Sequence, residues 1–300
     1  MPDFLPVFTS PQGESETMRA YQAVLAEWPA PYTELEIATS FGETHVIANG
    51  PESAPPVVLL HAFFATATAW YRNIEALSQH YRTYAVDIVG EANKSRPTRP
   101  IKSLDDFLQW FTELMDGLGI AQLYLVGNSF GGCTAAYYAM QLPDRIRKLA
   151  LIGPAATFRG MLPFYIHMFI PEAIYLFFPW MPGQKRAMRH SIEWMHAGLP
   201  KNRAWVELFN LVLLYGRGTN QVFPRVFSAE ELAQIKAPTL LILGDHEKIY
   251  PPHAAIEQAR RLMPAIQVQL IPKAHHITAL AQPELVNASL LGFFQEGENQ

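Results

Sequence analysis

Five consecutive residues, Gly127-Asn128-Ser129-Phe130-Gly131, constrain this chain more than any other feature. The apolar run before them, Leu123-Tyr124-Leu125-Val126, reads as a buried strand, and the run after them, Cys133 to Leu142, reads as a helix. A serine on a strand-to-helix turn with a glycine two places to either side marks a very tight backbone path. Such a turn lifts the serine hydroxyl off the end of a sheet and aims the first unpaired N–H groups of the helix at the same point. The pentapeptide alone is a weak signal, and its surroundings decide what it means.

Those surroundings alternate strand and helix. Residues 35–39 and 44–48 read as a hairpin around Gly42, behind a probable-helix pattern over roughly 16–27 in the polar leader. Pro56 to Leu60 and Tyr84 to Asp87 follow as buried strands. Ser103, with Asp106 three places on, caps a helix whose apolar face is Phe107, Phe111, Leu114, Met115 and Leu118. Then come strand 122–127, helix 131–142 and strand 147–153. After a break, strand 238–243, helix 252–262, strand 266–271 and helix 283–294 complete the series. Short apolar runs separated by longer helices predict an α/β fold, an eight-stranded, mostly parallel sheet with helices on both faces. The expected organisation is a leader with a helix over 1–32, a core over 33–155 and 236–300, and an inserted helical cap over 156–235, read as four or five helices. Met161, Met168, Met181, Met188 and Met195 read as packing within that cap.

Composition narrows the classes. With 49% apolar and 12% aromatic residues, 300 residues can bury a large core. A net charge of -4, with both signs interspersed, argues against a nucleic-acid partner. The single cysteine, Cys133, rules out an internal disulfide and fits a reducing, cytoplasmic setting; it reads as a small buried hydrophobe. Met1 to Ala20 lacks the basic-then-apolar pattern of a signal peptide. Met161 to Met181 is the one stretch suggestive of a membrane span. It carries His167, Glu172, Pro171 and Pro179, and the prolines divide it, so an apolar helix pair covering a pocket is the better reading and no membrane partner is expected. The spacing of His246, His275 and His276 matches no metal signature, and neither metal nor cofactor is expected. A homodimer is compatible with the composition.

A serine hydroxyl attacks well at neutral pH only if a base takes its proton, and an imidazole base needs a carboxylate to fix its tautomer. Two later loops carry both groups: Gly244-Asp245-His246-Glu247 after one strand, and Pro272-Lys273-Ala274-His275-His276 after the next. Both face the same end of the sheet as Ser129 in the chain order serine, acid, histidine. Local chemistry does not choose between Asp245 and Glu247, or between His275 and His276.

From about Leu35 to Phe294 the chain resembles the alpha/beta-hydrolase superfamily, and within it the bacterial carboxylesterase-like serine hydrolases with a helical cap. Five stretches carry the likeness: Leu59-Leu60-His61-Ala62-Phe63 with Trp70, Asp87-Ile88-Val89-Gly90 with Ser95, Gly127 to Gly132, Gly244 to Glu247, and Ala274-His275-His276 with Pro283-Glu284. The resemblance implies Ser129, Glu247 and His276 as the catalytic triad, and the backbone N–H groups of Phe63 and Phe130 as the oxyanion hole. It implies structural parts near the site for His61, Asp87, Gly127 and Gly131. Phe64, Phe158 and Phe164 are expected to line the pocket. This chain departs from the family in placing Ala62 where a glycine usually follows the histidine, which puts the shape of the oxyanion loop in question. The expected activity is hydrolysis of small-molecule carboxylic esters with an apolar or aromatic moiety through an acyl-enzyme. The alternative is hydrolysis of a carbon–carbon bond in a ring-fission product, because the wording Gly-Asn-Ser-Phe-Gly-Gly is frequent among such enzymes. A binding protein without turnover is the reading from a different class, and the intact serine, acid and histidine argue against it.

Overall fold

In the computed structural model, residues 3–167 and 202–297 are described. Nine strands form one sheet: β1 (Tyr32–Thr39), β2 (Gly42–Asn49), β3 (Pro56–Leu60), β4 (Arg82–Val86), β5 (Arg96–Pro97), β6 (Leu123–Asn128), β7 (Ile146–Ile152), β8 (Thr239–Gly244) and β9 (Gln267–Ile271). Their order is β1-β2-β4-β3-β6-β7-β8-β9, with β5 paired to β2. β2 runs antiparallel to β1, β4 and β5, and the remaining pairs are parallel. The expected count of eight is therefore one short. The missed strand is the two-residue β5, too brief to show any alternation.

The central strands bury both faces. Val58, Leu60, Leu123, Leu125, Leu241 and Leu243 point into one apolar layer. Their neighbours Val57, Leu59, Tyr124, Val126, Leu240 and Ile242 point into the other. Alternate side chains of a strand point to opposite faces, so an unbroken apolar run means helices cover both sides. Those helices are α1 (Pro11–Ala26), α2 (Ile74–Ser78), α3 (Leu104–Gly117), α4 (Phe130–Gln141), α5 (Arg203–Tyr215), α6 (Ala229–Leu232), α7 (Pro252–Leu262), α8 (Thr278–Ala281) and α9 (Pro283–Gln295). α3 begins where Ser103 accepts from the N–H of Asp106 at 3.1 Å, and it buries Phe107, Trp110, Phe111, Leu114 and Met115.

The leader differs from expectation at its start. The leader helix starts at Pro11, not near Glu16, because Ser10 caps it by accepting from the N–H of Gly13 and Pro11 fits its first turn. Within 156–235, residues 162–167, α5 and α6 are helical, while residues 168–201 of the expected cap, with Met168, Met181, Met188 and Met195, lie outside the described residues. α5 packs against α1, and the strap behind it is pinned to the rest of the molecule by backbone bonds. Thr9 donates to Tyr215, Arg217 to Val7, Thr219 to Gly90 and Gln221 to Ile101, each at 2.8 Å. No described helix is long and apolar enough to cross a membrane.

Asp87, just past β4, is fully buried and gathers several elements. Its Oδ2 accepts from the Tyr21 hydroxyl on α1 and pairs with His45 Nδ1 on β2, each at 2.9 Å, while Oδ1 accepts from the N–H of Ala67 at 2.6 Å. The far nitrogen of His45 meets Glu34 at 2.8 Å, and Glu34 also pairs with Lys94. Burial alone would raise the Asp87 pKa, but the bond and charge of His45 outweigh it and hold it below the usual value. Burial likewise opposes the His45 imidazolium, but its bonds to Asp87 and Glu34 and the charge of Asp87 together outweigh burial, so its pKa is raised. The histidine's contribution is thus full below its unfolded pKa of about 6.5 and fades as pH rises through the raised folded value. The aspartate's is full above about 3.8 and fades as pH falls through its lowered value. Asp87→Asn should therefore cost about 3 kcal/mol or more in urea unfolding, most of all between those two pH values. A penalty below about 1 kcal/mol at mid-window would contradict the pairing.

Candidate active site

The carboxyl ends of β6, β8 and β9 share one edge of the sheet, and the loops leaving them meet there. Ser129 sits between β6 and α4 with φ 52° and ψ -112°, a left-handed conformation that is rare for a side-chain-bearing residue. The turn closes because its flanking glycines carry no side chain. A Cβ on Gly127 would stand 2.2 Å from the carbonyl oxygen of Gly131, and one on Gly131 would stand 2.4 Å from that of Leu60. Neither is compatible with packed atoms. The backbone of Ser129 is fully engaged: its N–H donates to Ile152, and its carbonyl accepts from Cys133 and Ala155.

Ser129 holds the N-cap position of α4, yet its hydroxyl makes no cap bond. Instead Oγ lies 2.8 Å from Nε2 of His276. Nδ1 of the same ring lies 3.0 and 3.1 Å from the two carboxylate oxygens of Glu247. Glu247 is held in turn by the N–H groups of Lys248 and Ile249, which donate to Oε1 at 2.8 and 3.1 Å. All three side chains are buried. Asp245 and His275 lie elsewhere. Asp245 accepts from the N–H of Ala274 at 3.2 Å and so braces the histidine loop, while His275 Nδ1 donates to the carbonyl of His246. Burial opposes the charge on Asp245, but the N–H groups of Lys273 and Ala274 outweigh it and lower its pKa. No group of three or more metal-ligating side chains is found among the described residues.

The loop after β3 faces this chain of groups. His61 is buried; its Nδ1 donates to the carbonyl of Ala62 at 2.8 Å and its Nε2 accepts from the N–H of Ile88 at 3.0 Å. Burial pushes its pKa down. The left-handed residue in this loop is Phe64, at φ 57°, and Ala62 does not need a glycine's dihedrals. The Phe63 ring stacks on that of Phe130 at 3.9 Å between centroids. Phe130 opens α4, so its N–H has no intrahelical acceptor.

Ser129 and His276 open on a cavity of about 270 Å³. Phe64 and Phe164 line it, and Phe158 does not: it is buried in the core, 4% exposed. Much of the remaining wall comes from places that sequence reasoning passed over, namely Phe209 and Leu213 of α5 and the strap residues Gly218, Asn220, Val222 and Phe223. No local motif marks the strap. Glu91, also on the wall, was visible only as one polar residue of the loop after β4.

Residues 55–283 match the model of a family described as alpha/beta hydrolase fold. The chain belongs to that family. It is 36% identical over 290 residues to a protein of Bacillus subtilis (strain 168) named uncharacterized carboxylesterase nap, covering 92% of this chain and 91% of that one. To carboxylesterase YbfK of the same organism it is 33% identical over 292 residues, covering 93% of each. Among solved structures, naproxen esterase (carboxylesterase NP) from Bacillus subtilis superposes with a TM-score of 0.85 at 34% identity, covering 95% of this chain and 99% of that one.

Cys133, one turn into α4, is fully buried, and burial pushes its thiol up to about 11 against the weaker influence of Arg225 and Thr157. It is protonated and inert at neutral pH. The folded protein should resist alkylation by iodoacetamide at pH 7, and Cys133→Ala should cost roughly 1 kcal/mol of stability with turnover within a few fold. Rapid labelling of native protein would show a reactive thiol instead.

Proposed function

We propose that the protein is a serine carboxylesterase in which Ser129 is the nucleophile, His276 the general base and Glu247 the acid that orients it. The observation that carries this reading is the continuous chain of contacts from Ser129 Oγ through both nitrogens of His276 to Glu247, opening on an apolar cavity. Ser129 attacks the ester carbonyl as its proton passes to His276 Nε2, and the imidazolium so formed is stabilised by Glu247. The charge on the carbonyl oxygen is taken by the backbone N–H groups of Phe63 and Phe130, a pair of donors ready before the reaction. His276 then returns its proton to the leaving alkoxide, which departs as the alcohol and leaves the acyl group on Ser129. Water, deprotonated by the same imidazole, attacks the acyl-enzyme and releases the acid.

Phe63, Phe64, Phe164, Phe209 and Phe223 on the cavity wall favour an apolar or aromatic portion of the substrate. Residues 156–235 act as the cap that supplies part of this wall, and the substrate preference is graded, since one methylene in such a pocket is worth only about 1–3 kcal/mol. Relatives named as carboxylesterases over nine-tenths of the chain favour ester over carbon–carbon bond hydrolysis. A reducing, cytoplasmic location agrees with one buried, protonated thiol.

A fluorophosphonate probe should form a stable adduct at Ser129 on folded protein, lost in Ser129→Ala; absence of the adduct on wild type would sink the reading. With a p-nitrophenyl ester, Glu247→Gln should lower kcat by about 10³-fold or more while Asp245→Asn is far milder. The reverse order would move the acid to Asp245.

A further inference from the structure

One acid in the cavity has no part in this chemistry. Glu91 lies on the loop after β4, is 4% exposed, and lines the cavity together with Ser129 and His276. Its Oε1 accepts from Asn220 Nδ2 at 3.3 Å, and the backbone N–H of Phe64 lies close enough to favour its charge. A carboxylate has room for about four such bonds. No lysine or arginine stands among the described residues of the wall, where the other titratable side chains are His276 and Tyr165. Burial pushes the carboxyl up to about 7, against the pull of Asn220 and the Phe64 N–H.

Among the described residues, its surroundings are short of donors. Asn220 also lines the cavity, and its Oδ1, lying against Gly90, is buried with no hydrogen-bond partner among the described residues. On the strap, Gly218 presents no side chain towards the acid. A Cβ there would stand only 3.9 and 4.0 Å from the two carboxylate oxygens, so that flank is left uncovered. Among the described residues, Glu91 is therefore an acceptor with few donors on the wall of an otherwise apolar cavity.

We propose that Glu91, with Asn220, forms a polar subsite that selects substrates by charge, favouring esters that bear a cationic or hydrogen-bond-donating group and rejecting those that bear a carboxylate. This rests on the ester-hydrolase reading above. A second carboxylate beside a buried one must either take up a proton or stand as an unrelieved like charge. A cation placed there instead relieves a burial cost that the folded protein already bears.

The test uses p-nitrophenyl esters whose acyl chain, over several lengths, ends in a trimethylammonium group, its neutral tert-butyl isostere, or a carboxylate. On wild type above pH 7, kcat/KM should fall in the order cationic, neutral, anionic at the length that reaches Glu91. In Glu91→Gln the cationic-to-neutral ratio should drop by about tenfold, mainly through KM. A merely structural Glu91 would move every ester alike, and that outcome would overturn the proposal. Wild type supplies a second measurement that does not depend on the variant folding. The ratio should grow as pH rises through about 7, where Glu91 ionises, and any effect of pH on the common chemical step cancels in the ratio. A ratio flat in pH at every chain length would also overturn it. Turnover of the neutral ester keeps the two readings apart: if it is absent the esterase reading fails, and if it is present with unmoved ratios only the charge selection fails.

Discussion

The approach of α4 to the end of β3 is the contact on which the rest of the site depends. A Cβ on Gly131 would lie 2.4 Å from the carbonyl of Leu60 and 2.7 Å from that of His61, so the two backbones touch with no side chain between them. β3 leads directly into the Phe63–Phe64 loop, and α4 begins directly at Ser129. One contact therefore sets the position of a hydroxyl, a helix N-terminus and the loop that faces both. The left-handed backbone at Ser129 costs roughly 1–2 kcal/mol. That cost is offset by the bonds its own N–H and carbonyl make to Ile152, Cys133 and Ala155. Stacking of Phe63 on Phe130 then closes the apolar side of the same junction.

Asp87 extends this arrangement to the N-terminus. It draws together α1 through Tyr21, β2 through His45 and the helical turn at Ala67–Trp70 through the Ala67 N–H. α1 in turn packs against α5, which contributes Phe209 and Leu213 to the cavity. A buried, well-bonded carboxylate thus links the leader to the cavity wall. Such a device gives geometry rather than large net stability, because desolvation takes back much of what pairing supplies.

The sheet was legible because its strands are buried on both faces. Val57 to Leu60, Leu123 to Val126 and Leu240 to Leu243 leave no polar position, and the helices between them keep a clear apolar stripe. The serine turn was legible because a buried strand before it and a helix after it gave its two glycines a steric meaning, each lying against backbone that a Cβ would strike. Choosing between Glu247 and Asp245 needed family resemblance, because the sequence offers two carboxylates in one loop and only the path of the backbone separates them. In the fold, Asp245 faces the backbone of Ala274 and Glu247 faces the imidazole. The strap from Gly216 to Pro224 was not legible. It reaches the cavity through backbone bonds to Val7, Gly90 and Ile101, and such partners leave no trace in side-chain pattern. Phe158 shows the converse: an aromatic beside the cap boundary looks like a pocket residue until the core beneath it is seen to take the ring.

The cavity also shows how environment separates two residues of one type. Glu247 and Glu91 are both buried glutamates on loops at the same end of the sheet. Glu247 accepts from two consecutive backbone N–H groups and faces an imidazole that can carry positive charge. Those donors belong to the fold and are present whether or not a substrate is bound. Burial pushes the Glu91 carboxyl up to about 7, against one amide contact at 3.3 Å and the nearby N–H of Phe64, with no cation on the described wall. A group left in that condition imposes a steady cost on the folded state unless something else supplies the missing donors. Among the described residues no further donor reaches the acid, which stands on the cavity wall. The carboxyl that the protein satisfies internally is fit to hold a catalytic base in place. The one it leaves unsatisfied is fit to discriminate among what enters.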